Sequence, residues 1–322
     1  MQNLAAALFR VALAVLLAVF ADVSLAATPV ASAQVLIVLS ADAAIYEDVA
    51  QAFQAGLTND RGLRIETATA AQLSTRTSPL AYELVVAVGS AAAEAVIARS
   101  DAMAQPPYVL CLLIPRQAFD ALAASRGGLR GRRISALYLD QPISRQLDLM
   151  RLALPNATRV SALLGSSSRP LAGELRDAGR QRGLTVVTAD IADSSGVYAG
   201  LREVLPNSDA LLALPDPVVF NASTAYGLLL TTYRAQVPVV GFSEALVKAG
   251  ALVGLYSSSK QVGAQGAEMA SRALAPDGAL PPPQWPRQFT VRVNYSVARS
   301  LGIVLPDEAM LAAALVAAGK AP

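Results

Sequence analysis

Short, unbroken apolar runs rich in β-branched residues alternate along this chain with longer stretches of helical apolar spacing. The runs QVLIVL at 34–39 and LVVAV at 84–88, with others at 108–113 and 134–139, predict strands, and 63–67 predicts a more polar one. Helical spacing fills the intervals at 46–57 and 91–98. Because the strand runs are continuously apolar, both of their faces are buried, as in a parallel sheet covered by helices on either side.

At Asp140-Gln141-Pro142 the alternation starts again. A helix over 144–153 leads to a strand at 160–164 and the loop Gly165-Ser166-Ser167-Ser168. Pro170 opens the next helix, where its missing N–H costs little, and Gly183 ends it. Strands at 185–187, 210–214, 237–241 and 251–255 then alternate with helices at 197–204, 222–234 and 262–274. The proline-rich connector at 281–286 is stiff and extended, and a strand at 289–293, a short helix to 301 and an alanine-rich tail follow it. Two successive βα sets predict an α/β protein of two lobes of similar size, each with a parallel sheet. Periodicity leaves open which lobe the later segments rejoin.

The amino terminus has its own pattern. Arg10 precedes an apolar run at 11–20, and Ser24-Leu25-Ala26 satisfies the small-x-small rule of signal peptidase, with Ala31-Ser32-Ala33 as a second site. Asp22 interrupts the run well short of the roughly 20 residues that span a bilayer. Residues 1–26 therefore read as a signal peptide, and the mature chain is expected in the periplasm. No cysteine stands at the cleavage point to carry a lipid.

Composition narrows the chemistry. The 322 residues contain no histidine, which excludes Ser-His-Asp and Cys-His nucleophiles and imidazole metal sites. The single cysteine, Cys111, makes no internal disulfide or thiolate cluster. A net charge of +2 without a basic run gives no footprint for nucleic acid, and no glycine-rich phosphate loop is present. Gly241-Phe242-Ser243-Glu244-Ala245 looks superficially like a nucleophile elbow but lacks the second glycine and a base. Ser257-Ser258-Ser259-Lys260 has a Ser-x-x-Lys spacing that chance also produces. The chain is read as a binder that is not an enzyme and needs no cofactor.

In parallel α/β sheets, ligands sit beyond the carboxyl ends of the strands, against helix N-termini. The loops there supply the candidate ligand residues Ser40, Ser90, Arg116, Ser167, Asp216, Ser243, Glu244 and Tyr256. Ser90 and the helix behind it would meet a ligand carboxylate, and Asp216 or Glu244 an amine, with Tyr256 on the apolar part. Each serine has an alternative role as the N-cap of its own helix.

Several stretches resemble the periplasmic substrate-binding proteins of ABC transporters, in the tryptophan/tyrosine-binding branch. They are Val88-Gly89-Ser90-Ala91-Ala92, Gln146-Leu147-Asp148-Leu149 through Leu154-Pro155, Leu211 to Asp216, Val237-Pro238-Val239-Val240-Gly241-Phe242-Ser243-Glu244 followed by Lys248-Ala249-Gly250-Ala251-Leu252, and Phe289 to Asn294 with Ala298 to Ile303 and Leu305-Pro306. The resemblance implies a type I periplasmic-binding-protein fold, two Rossmann-like lobes with parallel sheets joined by three crossings near Leu139-Asp140, 244–250 and 286–289. Lobe I would comprise 34–139 with 250–285, lobe II 140–249 with 286–305, and 306–322 a tail. It also implies ligand roles for Ser90, Ser167, Asp216 and Glu244, a small polar solute, possible amino-acid character in that solute, and an inner-membrane ABC permease as partner. A sensory role beside a receptor kinase would use the same cleft. Two departures stand out: Pro215-Asp216-Pro217 replaces Thr-Asp-Asn, and Leu113-Ile114-Pro115-Arg116 replaces a small polar turn.

Overall fold

The computed structural model describes residues 34–57, 62–77, 80–128 and 133–319. The leader at 1–26 and the motif at 31–33 lie outside the described residues. The first sheet contains β1 (Gln34–Leu39), β2 (Arg64–Thr69), β3 (Leu84–Val88), β4 (Tyr108–Ile114) and β5 (Ile134–Tyr138). They run in the order β2-β1-β3-β4-β5, every pair parallel. The two-residue period of the strands splits their side chains between two cores. Val35, Ile37, Val86, Leu110 and Leu112 point to one face, and Leu36, Val38, Val85, Val109 and Cys111 to the other. Helix α1 (Ala44–Gly56) covers the first face; α2 (Ala70–Thr75), α3 (Ser90–Asp101) and α4 (Arg116–Ala124) cover the second.

The second sheet contains β6 (Arg159–Leu164), β7 (Thr185–Asp190), β8 (Ala210–Leu212), β9 (Val239–Gly241), β10 (Val253–Tyr256) and β11 (Thr290–Val293). Its order is β11-β10-β9-β8-β6-β7, parallel except for β11, which runs against β10. Around it lie α5 (Ile143–Ala153), α6 (Ala172–Gln181), α7 (Val197–Val204), α8 (Ala225–Arg234) and α9 (Glu244–Ala249). The chain then returns to the first sheet as α10 (Ser259–Ala273), before α11 (Tyr295–Ser300) and α12 (Glu308–Ala318) join the second lobe.

Two expected boundaries move. The segment at 250–256 was expected in lobe I, but β10 pairs with β9 through Val253 and Val240, so it belongs to the second sheet. The physical reason is local: Gly250, at φ +133°, ends α9 and turns the chain straight back into the sheet, so 244–250 is a short connection within one lobe. The crossing falls at 257–258. The expected tail is α12, capped by Asp307 and packed on α5 and β11 through Leu311 and Leu315. Those two leucines, four residues apart, give an alanine-rich helix a core-facing edge.

The three crossings lie at 139–142, 257–258 and 286–289, and a polar relay joins them. Gln141 Nε2 donates to Ser257 Oγ at 2.8 Å, and Ser257 Oγ donates to the Gln288 carbonyl at 2.6 Å. One residue from each crossing takes part. In the first lobe, α10 lies against α1 closely enough to require glycine: a Cβ on Gly263 would stand 2.5 Å from Ala52 Cβ and 2.7 Å from the Phe53 nitrogen. Among the described residues, no helix is long and apolar enough to cross a membrane.

Candidate ligand cleft

The carboxyl ends of both sheets face one another across a cleft of about 1020 Å³. Lobe I lines it with Ile45, Tyr46, Asp48 and Gln51 of α1, and lobe II with Phe242 to Ala245 and Lys248 of the β9–α9 connection. Tyr256 to Lys260 border it where the chain crosses, and Leu113 and Leu139 also line it. Leu113 is in the left-handed region, φ +54°, at a break in the register between β4 and β5. A leucine held in that conformation is strained, and here it contributes its side chain to the cleft wall.

Three sequence candidates line this cleft. Ser243 Oγ accepts a hydrogen bond from the Leu246 N–H at 3.2 Å, and so caps α9. Glu244 pairs with Lys248 at 2.9 Å, one turn later, and the ammonium holds its carboxyl below the usual range. Burial pushes the Tyr256 phenol up, while Arg292 beside it acts in the opposite direction.

Arg116 and Ser167 line a second, much smaller pocket near the hinge. Arg116 Nη2 makes an ion pair with Glu174 of α6, so this contact links the lobes. The Arg116 backbone N–H donates to Asp140 Oδ1 at 2.7 Å.

Ser40, Ser90 and Asp216 line neither of these two pockets. Ser40 Oγ accepts from the Ala92 N–H at 3.0 Å, so it caps α3 from another strand end. Gly89, at φ +92°, has no side chain for that task, and a Cβ there would stand 2.4 Å from Ser40 Oγ. Ser90 is the first residue of α3. The Asp216 carboxylate, expected to meet a ligand amine, is turned into its own lobe. It accepts from the Ser168 N–H and Oγ–H, each at 2.8 Å, and from the Val218 N–H at 2.9 Å, and the residue is only 3% exposed. The Val218 bond is local to the loop, whereas the two Ser168 bonds tie the carboxylate to the loop after β6.

The strand-end argument did not select Tyr46, Phe242, Lys248 or Lys260. A compositional signal was available: the chain has only three lysines, Lys248, Lys260 and Lys320, and two of them line the cleft. Phe242 is set by an edge-to-face contact with Phe220, centroids 5.5 Å apart.

The chain is similar in fold to a conserved domain protein from Vibrio cholerae, with a TM-score of 0.64 at 19% identity over 87% of this chain and 98% of the other. It is similar to a Streptococcus pneumoniae ABC domain solved with L-Trp, with a TM-score of 0.64 at 18% identity over 87% and 98% of the two chains. A ligand-free, open substrate-binding protein with adhesive properties from Clostridium difficile gives a TM-score of 0.66 at 17% identity over 85% and 96%. No curated protein matches it in sequence. Together with the two parallel-dominated lobes, these structures place the chain in the type I periplasmic-binding-protein fold. The model of the ABC transporter substrate binding protein family matches residues 56–317, and the chain belongs to that family.

Proposed function

We propose that this protein is the periplasmic solute-capturing component of an ABC import system. It closes its lobes on a small solute of mixed apolar and polar character and presents it to an inner-membrane permease. The observation that carries this reading is the cleft of about 1020 Å³, walled by Tyr46 from one lobe and Phe242 from the other, between bodies joined by three chain crossings. Asp48, Glu244, Lys248 and Lys260 supply charges of both signs around an apolar lining, which suits an amino-acid-like solute. With Asp216 occupied inside its lobe, a solute ammonium would meet Asp48 or Glu244 instead.

The same cleft is poorly arranged for acyl transfer. Ser243 Oγ serves the Leu246 N–H, and Ser257 Oγ lies between Gln141 and the Gln288 carbonyl. The family match favours a permease over a receptor kinase as partner. A structural neighbour from Bacillus halodurans holds myo-inositol, at a TM-score of 0.52 and 15% identity, so polyols belong in the ligand screen beside amino acids. Calorimetry of the mature chain against amino acids, polyols and sugars tests the proposal. The expected result is one solute class that binds and reduces the radius of gyration in X-ray scattering. No binding across all three classes would overturn it.

A further inference from the structure

One or two residues beyond Leu113 and Leu139, the chain lines the smaller hinge pocket. Its volume of about 20 Å³ suits a single water-sized group, which needs roughly 10–15 Å³. Arg116, Asp140 and Trp285 line it from the lobe I side, and Gln146, Ser167 and Glu174 from lobe II. Two buried side-chain atoms in the described residues lack a hydrogen-bond partner, Gln146 Oε1 and Trp285 Nε1, and both belong to residues of this pocket.

Neither orphan is a matter of side-chain freedom. Gln146 is 2% exposed, and its Nε2 donates to the Gln141 carbonyl at 2.9 Å, which fixes the amide with Oε1 as the unpaired end. The Trp285 ring packs edge-on against Tyr138 at 5.6 Å, with the Arg116 guanidinium 5.5 Å from its centroid. Trp285 Nε1 stands beside the Asp140 carboxylate and weakly favours its charged form against the larger effect of burial, but the contact falls short of a full hydrogen bond. A buried donor and a buried acceptor left unmet are costly, so the pocket calls for a group that serves both. A cation would face the indole N–H and Arg116, and an anion would face Asp140, Glu174 and the Gln146 oxygen. A neutral group that both accepts and donates matches the lining.

We propose that this pocket is a subsite for one hydroxyl-type group, water or a hydroxyl of the solute, that accepts from Trp285 Nε1 and donates to Gln146 Oε1. Because Trp285 packs in lobe I and Gln146 in lobe II, the group bridges the lobes, and its occupancy is tied to their separation. The solute arm rests on the transport reading; the water arm does not.

Trp285 is the only tryptophan of the chain, so its emission and its single indole N–H resonance report on this pocket alone. The full-length chain is titrated with D-ribose against 2-deoxy-D-ribose and with L-tyrosine against L-phenylalanine, in parallel with calorimetry. If water is the occupant, the indole N–H shows a cross-peak to a long-lived water that no solute displaces. If a solute hydroxyl enters, the hydroxylated member of a pair binds about tenfold tighter, removes the water cross-peak and shifts the resonance. Trp285→Phe and Gln146→Met then each reduce that preference to about twofold or less. An indole N–H with no water cross-peak and no response to any solute overturns the subsite, as does a resonance governed by Asp140→Asn alone. Calorimetric binding with a dry, silent indole overturns the subsite and leaves the transport reading standing. Absence of binding by these four solutes leaves the water cross-peak to decide the pocket.

Discussion

The Asp216 carboxylate accepts two hydrogen bonds from Ser168 and one from Val218, all within its own lobe. Asp216→Asn puts an amide NH2 where donors already converge, so the expected effect is on stability. Urea denaturation should show a loss of about 2 kcal/mol, with solute affinity unchanged in the folded fraction. A lost affinity at unchanged stability would return Asp216 to the ligand site. Asp209 provides a second test, by pH. The Arg159 guanidinium, with the Thr158 and Arg159 N–H groups, holds its carboxyl far below the usual range. A depressed folded-state pKa means that the unfolded chain binds more protons in the window between the two values, so stability rises with pH there. The contribution is complete above the unfolded value of about 4 and is lost as the pH falls toward the folded one. Asp209→Asn should flatten the stability profile below about pH 4 and leave its shape at neutral pH unchanged.

At the scale of elements, the interface between α1 and α10 depends on the absence of side chains. Gly263→Val would drive a branched side chain into Ala52, the Phe53 nitrogen and the Val49 carbonyl, at most 2.8 Å from a new Cβ. A loss of about 3 kcal/mol is expected, read as a lower urea midpoint, whereas Ala264→Ser in the same helix serves as the control. The apolar runs at 34–39 and 84–88 were legible as strands because each residue type there is what a doubly covered sheet needs. The membership of β10 was not, since Val253–Tyr256 is equally apolar in either lobe, and only pairing with Val240 decides it. The α12 helix was obscured by its alanines, which give nearly every face the same hydropathy. At the site, the strand-end rule located Ser243, Glu244 and Tyr256 in the cleft. It could not see that Ser40 and Asp216 would be occupied by neighbours distant in sequence, Ala92 and Ser168.

For the whole molecule, the Arg116–Glu174 pair is the contact through which α4 and α6 hold the lobes together beside the hinge pocket. Its side chains are 20% and 43% exposed, so the pair is worth less than about 1 kcal/mol. That is small against folding but large against a lobe equilibrium, where it changes populations by up to about fivefold. Glu174→Gln should therefore lengthen the mean distance between spin labels on the two lobes while leaving the urea midpoint within error. An unchanged distance distribution would remove the pair from the closure equilibrium. The return of α10 to lobe I has a consequence for biosynthesis. Val262, Ala267 and Met269 seal the face formed by Leu110, Leu112 and Leu137, yet they are synthesised after all but one strand of the second sheet. Helix α1 covers that face over β1 and β3, but the part over β4 and β5 stays uncovered until residue 273 has been made. Lobe I therefore waits for most of lobe II to be translated before it can finish folding, and lobe II waits in turn for β11 and α12.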